Sequence, residues 1–321
     1  MAIQKADKIW MNGKWVAWDD AKIHILSHVV HYGSSVFEGI RCYDTQHGPA
    51  IFRLEDHIDR LMLSAKIYRM IETEITRDQI RQVCLDVVAV NDLKACYLRP
   101  LIYRGYENLG VNPFGSPVEV AVAAFPWGKY LGDDALTKGV SVKISSWWRI
   151  SPNTLPAMAK ASANYMNSQL MKMEALVDGY DEAVALDVNG FVSEGSGQNL
   201  FAVVKGELVT PPLHNSILAG ITRDSVMTLA REQGISVREM VIPREMLYVA
   251  DEVFLAGTAV EVTPVHSVDK IGVGDGKPGK VTRAIQQAFF ALVRGEVADR
   301  HGWLTRVPQA VATTGSVARR P

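Results

Sequence analysis

Cysteine is scarce in this sequence, and neither sign of charge predominates. The 321 residues include three cysteines, Cys42, Cys84 and Cys96, an odd number without a CxxC spacing. Such a set suits reduced thiols in a cytoplasmic protein better than a disulfide framework or a zinc site. The formal net charge at pH 7 is −1, so no excess of positive charge points to nucleic acid or an anionic membrane as a partner.

Long apolar runs and several catalytic spacings are also missing. No stretch approaches the ~20 apolar residues that a membrane-spanning helix requires. Residues 1–15, MAIQKADKIWMNGKW, lack the apolar core and the cleavage site of a secretory signal. The sequence has no HExxH-like spacing, no EF-hand pattern and no GxSxG elbow of a serine hydrolase. We therefore expect a cytoplasmic protein without a membrane span or a metal ion.

The sequence does contain ample material for a core, with 48% hydrophobic and 21% charged residues. This composition and length favour two globular domains around a shared cleft. The stretch PWGKYLGDD, residues 126–134, combines proline, glycine and acidic residues and is the best linker candidate. We predict a small domain over residues 1–125, a linker over 126–134, a large domain over 135–307 and a frayed tail over 308–321.

Local patterns predict a mixture of helices and strands. Asn12-Gly13 joins two apolar runs and predicts a β-hairpin. Apolar residues at helical spacing predict helices that begin near residues 54, 77 and 162, and Thr222 is expected to open another. Alternating runs such as YLRPLIY and VEVAVAAF predict strands. The predicted class is therefore α+β.

One lysine stands apart from its surroundings. In PAMAKASANYMNSQLM, Lys160 has small or apolar residues on both sides and carries the only formal charge between Arg149 and Lys172. A dry pocket disfavours the ammonium form, so the amine of such a lysine becomes available to form a Schiff base. The stretch also fits a lysine at a helix entry whose side chain reaches water, and taken alone it favours that alternative.

A second candidate lies in VSEGSGQNLF, where Glu194 follows one predicted strand and precedes the next. The flanking Gly195 and Gly197 allow a flat ligand to come close to the backbone. An ionised carboxylate at this position can keep the ring nitrogen of a pyridine cofactor protonated, which makes the ring an electron sink. The alternative is a solvated loop acid, and the stretch alone favours it.

Two segments offer donors for an anion such as a phosphate. LAGITRD places a helix N-terminus beside the hydroxyl of Thr222, and AGTA at residues 256–259 offers backbone donors between two strands. Arg60 adds positive charge unless it is an ordinary exposed arginine.

GVGDGKPGKVT, residues 272–282, resembles a Walker A loop, but valine follows its Gly-Lys pair where Ser or Thr is required. We expect that segment to be a polar loop before the last helix.

Together these elements resemble the class IV aminotransferases, the pyridoxal-phosphate (PLP) enzymes of fold type IV. Every fixed position of that family's signature is filled between Glu194 and Arg223, in EGSGQNLFAVVKGELVTPPLHNSILAGITR. Further motifs, among them HYGSSVFEGIRCY, YLRPL, GVNP, PAMAKASANY and DEVFLAGTAVEVTPV, extend the resemblance over residues 8–305. Within the class, they are similar to the bacterial-type branched-chain amino acid aminotransferases.

The resemblance implies a two-domain α+β fold, with a small α/β sandwich domain and a larger domain that has a pseudo-β-barrel core. PLP would lie between the domains, and a homodimer would be the minimum unit because a partner loop completes each site. The implied reaction is transamination of L-leucine, L-isoleucine and L-valine with 2-oxoglutarate. The same fold also fits a D-amino-acid or (R)-amine transaminase, an aminodeoxychorismate lyase or, more remotely, a cofactor-binding homologue without activity.

Matching positions assign cofactor roles to several residues. Lys160 would bind PLP as a Schiff base and then move a proton between substrate and cofactor, and Glu194 would pair with the pyridine nitrogen. Tyr165 would lie near the phenolic oxygen of the cofactor, and Leu218 would pack on its ring. The phosphate would be held by four residues: Arg60, Ile221, Thr222 and Thr258.

The resemblance also implies a substrate pocket. The α-carboxylate would meet the Thr258-Ala259 turn and Tyr97, and Arg99 would accept the second carboxylate of glutamate. Aromatic walls contribute ~25 cal/mol per Å² of buried leucine-like side chain, and an arginine at the rim can pair with the charge of glutamate. The pocket would be walled by Tyr32, Phe37, Trp127, Tyr130 and Tyr165, with Val111 supplied by the partner subunit.

Two positions depart from the common family pattern. Relatives often carry Gly-Gly soon after the lysine, as in KAGGNY, whereas this chain has Ala161-Ser162-Ala163. Gln198 stands where many relatives have glutamate. Neither change touches the signature, but we expect both to affect the tightness of the pocket or the rate.

Overall fold

Two β-sheets and the helices packed on them make up this computed structural model, which describes residues 3–71, 73–128, 131–132 and 134–308. The first sheet starts with a hairpin of β1 (Lys8–Met11) and β2 (Lys14–Ala17). Asn12 and Gly13 connect these strands with φ angles of 45° and 84°, the left-handed values that a type I′ turn requires. The hairpin predicted from this dipeptide is confirmed.

Five more strands extend the first sheet: β3 (Ser35–Phe37), β4 (Ile40–Thr45), β5 (Gly48–Phe52), β6 (Cys96–Arg104) and β7 (Val118–Phe125). The strands pair antiparallel in the order β5-β4-β6-β7-β1-β2, and β3, which follows the short helix α1 (His28–Tyr32), pairs with β6. The pairing of β3 with β6 brings Phe37 close to the strand that carries Tyr97 and Arg99.

Helices α2 (Leu54–Ile67) and α3 (Arg77–Val90) belong to the core of the first sheet. Leu54, Ile58, Leu61 and Ala65 of α2 are fully buried, and their spacing forms one stripe along the helix. Each large side chain in such a stripe contributes about 1.5–3 kcal/mol through burial. Thr76 caps α3 by exchanging side-chain and backbone hydrogen bonds with Gln79. Both helices lie where the apolar spacing predicts them.

The second part of the chain forms a larger mixed sheet and its helices, and ends with β17, which joins the first sheet. The elements are α4 (Ala135–Lys138), β8 (Val140–Ile144), α5 (Asn164–Val177), β9 (Glu182–Leu186), β10 (Val192–Gly195), β11 (Asn199–Val204), β12 (Glu207–Thr210), α6 (Ile221–Glu232), β13 (Val237–Glu239), α7 (Met246–Val249), β14 (Glu252–Gly257), β15 (Glu261–Val268), β16 (Ile271–Gly272), α8 (Lys280–Val293) and β17 (Leu304–Arg306). The strand order is β10-β9-β8-β15-β14-β11-β12-β13, with β16 beside β15.

The two sheets share part of their core. Phe52 of β5 meets Phe289 of α8 with ring centroids 5.5 Å apart, and β17 returns to the first sheet to pair with β5. Phe201 and Phe254, on neighbouring strands of the second sheet, stack at 5.0 Å. Aromatic pairs at such separations add about 0.5–1.5 kcal/mol beyond their burial. This packing fixes the strands of both sheets that border the candidate site.

Two details refine the expectations from sequence. Helix α6 begins at Ile221, one residue before Thr222, because Gly220 is the extended N-cap whose carbonyl accepts the N–H of Asp224 at 3.0 Å. The Walker-like segment forms β16, a loop and the start of α8, so the expectation of a loop before the last helix is confirmed. The domain boundaries stay predictions: residues 129, 130 and 133 of the linker and 309–321 of the tail lie outside the described residues.

Candidate functional site

A cavity of about 280 Å³ is lined by residues of both sheets and is the candidate active site. Its volume is close to the ~300 Å³ at which small-molecule sites begin. Most of the residues that the sequence singles out border this one cavity: Phe37, Arg60, Tyr97, Arg99, Trp127, Lys160, Tyr165, Glu194, Leu218, Ile221, Thr222, Thr258 and Ala259. Segments far apart in sequence thus meet around a single space.

The backbone of Lys160 is held by β3 and α2. The carbonyl of Lys160 accepts the N–H of Phe37 at 3.0 Å, and the next residue forms an antiparallel bridge with Val36. The N–H of Lys160 donates to the hydroxyl of Ser64 at 3.0 Å. Because both polar backbone groups of Lys160 have a partner, the lysine has a fixed attachment point at the cavity wall.

The side chain of Lys160 ends beside aromatic rings. Its Nζ donates a hydrogen bond to the hydroxyl of Tyr165 at 2.7 Å. Nζ also lies 5.2 Å from the ring centroid of Phe37 and 5.3 Å from that of Tyr165. The amine therefore faces the cavity next to a phenol, and the alternative of a lysine that reaches open water does not match this position.

The small residues after Lys160 pack against the segment that leads into β3. Ser35 donates its hydroxyl hydrogen to the hydroxyl of Ser162 at 2.7 Å. A β-carbon built on Gly33 would lie 3.3 Å from the Cβ of Ala163. Gly33 itself has a φ of 62°, a conformation that favours glycine. The side chains at positions 162 and 163 thus use space and hydrogen bonds that residues 33 and 35 provide.

Glu194 is buried at another wall of the cavity, where it accepts several hydrogen bonds. Its Oε1 lies 2.7 Å from Nη2 of Arg149, and its Oε2 accepts from Nδ2 of Asn199 at 3.0 Å and from the N–H of Leu218 at 3.1 Å. Burial raises the pKa of Glu194, while the charge of Arg149 and the N–H of Leu218 oppose that rise. This carboxylate is not the solvated loop acid that its local sequence favours.

Arg149 is a site residue that the sequence patterns do not reveal. It is buried, and its remaining nitrogen atoms contact the carbonyl of Ser216 at 3.3 Å and the hydroxyl of Ser168 at 3.4 Å. A buried carboxylate without a positive partner is strongly disfavoured. Glu194 is buried and therefore needs a positively charged partner, and Arg149 is that partner.

An anion cradle is formed by the first turn of α6 (Ile221 and Thr222), Thr258 and the guanidinium of Arg60, all of which border the cavity. The first amides of a helix have no partner within the helix, and the helix dipole attracts negative charge there. Arg60 donates to the carbonyl of Ala219 at 2.8 Å, just before the helix starts. The cradle therefore supplies backbone, hydroxyl and guanidinium donors together.

Arg60 is buried rather than exposed, and it pairs with a residue that the sequence patterns also miss. Its Nε and Nη2 donate to the two carboxylate oxygens of Glu38 at 2.6 and 2.9 Å. Glu38 is completely buried and also accepts a hydrogen bond from His57 at 2.7 Å. This buried cluster is not visible in sequence because nothing in the local patterns predicts the burial of Glu38.

Aromatic side chains and Arg99 form a further part of the cavity lining. The ring of Tyr97 lies 4.7 Å from that of Trp127, and the ring of Phe37 lies 5.0 Å from that of Tyr165. The guanidinium of Arg99 sits 4.7 Å from the Phe37 ring centroid, and its Nε has no hydrogen-bond partner among the residues that the structure describes. This wall combines apolar surface with donors that can bind a carboxylate.

The structure of a single chain does not test three of the predicted pocket residues in the way it tests the others, and Val111 is expected from the partner subunit. Tyr32 and Val111 lie at the surface, with 43% and 88% of their area exposed, and neither borders the cavity of a single chain. Tyr130 lies outside the described residues. Within the described ranges, no three His, Cys, Asp or Glu side chains gather as a metal-binding group, and none of the described helices is long and apolar enough to cross a membrane.

Comparisons with known proteins show the family of this chain. Residues 35–268 match the family described as amino-transferase class IV. The chain is 54% identical over 310 residues to the branched-chain-amino-acid aminotransferase of Escherichia coli (strain K12), covering 96% of this chain and all of that protein.

Solved structures give the same result for the fold. A crystal structure of the E. coli branched-chain amino acid aminotransferase superposes with a TM-score of 0.93 at 54% identity, over 95% of this chain and all of that one. The branched-chain amino acid aminotransferase of Thermobaculum terrenum, in its PLP-bound holo form, superposes with a TM-score of 0.88 at 37% identity, over 95% and 99% of the two chains. The α+β fold is that of these enzymes, and the chain belongs to the class IV aminotransferase family.

Proposed function

We propose that this protein is a PLP-dependent aminotransferase that moves the amino group of L-leucine, L-isoleucine and L-valine to 2-oxoglutarate, giving branched 2-keto acids and L-glutamate. The observation that carries the proposal is the arrangement of Lys160, Glu194 and the anion cradle around one cavity. An amine, a buried carboxylate and a phosphate site are the three groups that a pyridine aldehyde phosphate needs. High identity to enzymes named for branched-chain amino acids supports the substrate class.

The residues of the cavity fit PLP. Lys160 offers the amine for the aldehyde, the anion cradle offers donors for the phosphate, and Glu194 keeps an ionic partner in Arg149 while it faces the cavity. When bound, PLP supplies a ring that withdraws electrons from the substrate's Cα and makes its proton removable. Arg99 borders the cavity, where its guanidinium can pair with one more anionic group, as a dicarboxylate substrate requires.

The side chains of this chain then have distinct tasks. Lys160 would carry a proton on its Nζ from the substrate's Cα to the cofactor, and the hydrogen bond to Tyr165 holds that nitrogen in place. Phe37, Tyr97 and Trp127 exclude water and bury a branched apolar side chain. Arg99 pairs with the distal carboxylate of glutamate or 2-oxoglutarate, so that one pocket serves both kinds of substrate.

We further infer a homodimer in which Tyr32 and Val111 belong to the surface that meets the second copy. Both are exposed, and His28 links them: its ring lies 4.5 Å from that of Tyr32, and its Nε2 contacts the carbonyl of Gly110 at 2.9 Å. An exposed apolar surface of this kind favours association with another chain. Two domains bounded at residues 125 and 135 and a cytoplasmic location remain predictions from the sequence.

Two measurements test the proposed function. Purified protein is expected to absorb near the visible edge and to lose that absorbance in Lys160→Ala, while Lys172→Ala, which removes a lysine outside the cavity, keeps it. A colourless wild-type protein would overturn the proposal that it is an enzyme of this kind.

The substrate class is tested by a panel of L-amino acids, D-amino acids and (R)-amines with 2-oxoglutarate as acceptor. L-leucine, L-isoleucine and L-valine are expected among the best donors. A preference for D-amino acids or (R)-amines would replace the substrate assignment and leave the fold and cofactor assignments intact.

A further inference from the structure

A buried charged group lies directly behind the anion cradle. The carboxylate of Glu38, which follows β3, accepts hydrogen bonds from Arg60 Nε at 2.6 Å, Arg60 Nη2 at 2.9 Å, His57 Nδ1 at 2.7 Å and the N–H of Gly39 at 3.2 Å. Glu38 is 0% exposed and His57 is 1% exposed. A buried carboxylate that accepts several charge-assisted hydrogen bonds holds the donor groups in one geometry.

The charges in this group support that geometry. Burial by itself would raise the pKa of Glu38, but the charges of Arg60 and His57 and their hydrogen bonds hold it well below its ordinary value. Burial lowers the pKa of His57 despite the adjacent carboxylate. Glu38 is therefore ionised at neutral pH and accepts a hydrogen bond from Nδ1 of His57.

The contacts fix the plane of the Arg60 guanidinium. An arginine has five N–H donors, and three of those on Arg60 are used, two by Glu38 and one by the carbonyl of Ala219 at 2.8 Å. The other two N–H groups, one on each terminal nitrogen, belong to a side chain that borders the cavity. Because Glu38 and the carbonyl of Ala219 hold the guanidinium in place, its two remaining N–H groups point in a fixed direction.

The same turn of α2 also reaches Lys160. The hydroxyl of Ser64 donates to the carbonyl of Arg60 at 2.8 Å and accepts the N–H of Lys160 at 3.0 Å. Ser64 thus links the backbone of α2 to the backbone of Lys160, whereas Glu38 contacts only the guanidinium of Arg60. The support of the lysine and the support of the guanidinium are therefore separate.

We propose that Glu38 is a positioning residue that aims the free donors of Arg60 at the phosphate of PLP, with His57 as its second support. The proposal rests on the proposed function, since the anion is the phosphate of the cofactor. A purely electrostatic role makes the opposite prediction, because the negative charge of Glu38 repels a phosphate and its removal would strengthen binding. The sign of the effect therefore separates positioning from simple charge.

The test compares PLP with pyridoxal, which has the same ring and aldehyde but no phosphate. In Glu38→Gln, one carboxylate oxygen becomes an amide NH₂ that cannot accept the N–H groups of Arg60 or His57. Equilibrium dialysis of the full-length chain is expected to show PLP bound at least about tenfold more weakly than by wild type, the loss of one charge-assisted hydrogen bond. Binding of pyridoxal is expected to change less than about twofold, since no phosphate contact is involved.

Glu182→Gln is the matched control, because Glu182 is also 0% exposed and pairs with a cation, Lys172, at 3.0 Å, outside the cavity. This variant is expected to lower thermal stability without weakening the binding of PLP relative to that of pyridoxal. Should Glu38→Gln fail to fold, Glu38→Asp keeps the charge but withdraws the carboxylate, and His57→Asn removes the second support. Both variants are expected to bind PLP more weakly while their binding of pyridoxal changes little. The loss of PLP affinity is expected to be smaller in His57→Asn than in Glu38→Asp.

Each outcome decides the matter. A selective loss of PLP affinity supports positioning, whereas unchanged or tighter PLP binding, or equal losses for PLP and pyridoxal, overturns it. If wild type itself binds neither PLP nor pyridoxal, the proposed function fails instead, and that result is distinct from a failure of the variant alone.

Discussion

The hydroxyl of Ser64 accepts a hydrogen bond from the backbone N–H of Lys160 at 3.0 Å, although 96 positions separate the two residues in sequence. Ser64 is fully buried on α2, and Lys160 borders the cavity. A helix of the first sheet therefore holds the backbone of a residue whose side chain works between both sheets. The position of the amine depends on this contact as well as on the pairing with β3.

Ser64→Ala is expected to leave the N–H of Lys160 without a partner. An unsatisfied buried donor costs about 1–3 kcal/mol of unfolding free energy, and a shifted amine is expected to lower kcat about tenfold or more. Urea unfolding and single-turnover rates with L-leucine measure the two effects. Thr210→Val is the control, because Thr210 is equally buried and its hydroxyl donates to the carbonyl of Leu200 at 2.8 Å, outside the cavity. Equal kcat losses in both variants would contradict a specific role for Ser64.

Glu38 and Glu194 are expected to affect acid stability in opposite directions. The pKa of Glu38 lies below the ordinary 4.5 in the folded chain, so the unfolded chain binds the proton first and stability falls as pH drops below about 4.5. The pKa of Glu194 lies above 4.5, so its contribution is complete below 4.5 and is lost as pH rises through the folded pKa.

Urea unfolding of the cofactor-free chain between about pH 3.5 and 6.5 tests this pair of signs. Glu38→Gln is expected to flatten the loss of stability in acid, and Glu194→Gln is expected to steepen it. At neutral pH, Glu38→Gln also loses roughly 3–5 kcal/mol, because Arg60 is left buried without its carboxylate. Parallel pH profiles for the two variants would show that one of the assigned directions is wrong.

Arg99→Met is expected to separate the two substrate classes. The change removes the guanidinium that pairs with a distal carboxylate but keeps an apolar side chain against Phe37. For the acceptor, 2-oxoglutarate, the Michaelis constant is expected to rise about tenfold or more, as for a lost charge-assisted pair, while the L-leucine half-reaction stays nearly unchanged. Arg238→Met, at an exposed arginine that pairs with Glu207, serves as the control. A similar loss for leucine would place Arg99 in a structural role.

Gly39→Ala is expected to displace Tyr97. A β-carbon at position 39 would lie 1.8 Å from the hydroxyl of Tyr97 and 2.6 Å from its Cζ, and the stiff ring cannot bend away. Overpacking of this kind costs about 1–3 kcal/mol, and the Michaelis constant for L-leucine is expected to rise because Tyr97 borders the cavity. Gly272→Ala, where no atom lies within 4 Å of the new carbon, is expected to change neither quantity. An unaltered Michaelis constant in Gly39→Ala would remove Tyr97 from the substrate site.

Local sequence patterns predict many of the helices and strands and some of the residues of the candidate site. Asn12-Gly13 predicts its hairpin because the turn chemistry is local, and the helix over residues 54–67 is predicted because its apolar stripe is periodic. Lys160 and Glu194 are found because short motifs surround them. The roles assigned to the individual site residues remain predictions that the experiments above address.

The residues that sequence reasoning misses share one property. Arg149 and Glu194 are 45 positions apart (194 − 149), and Glu38 and Arg60 are 22 apart, so each pair forms only when the chain folds. A single glutamate or arginine in a sequence has the pattern of a surface residue, and only its burial shows that it needs a partner. Tyr32 and Val111 pose a different problem, because one chain does not contain the surface that would cover them.

The contacts of Ser35 with Ser162 and of Gly33 with Ala163 bear on how this region can evolve. Ser162→Gly alone would leave the buried hydroxyl of Ser35 without its partner, whereas a paired change with Ser35→Ala removes both groups together. A side chain at position 33 would in turn approach the β-carbon of Ala163 at 3.3 Å. Substitutions in one of these segments are therefore expected to depend on the residues of the other, so libraries that vary the segment after Lys160 need to vary residues 33 and 35 as well.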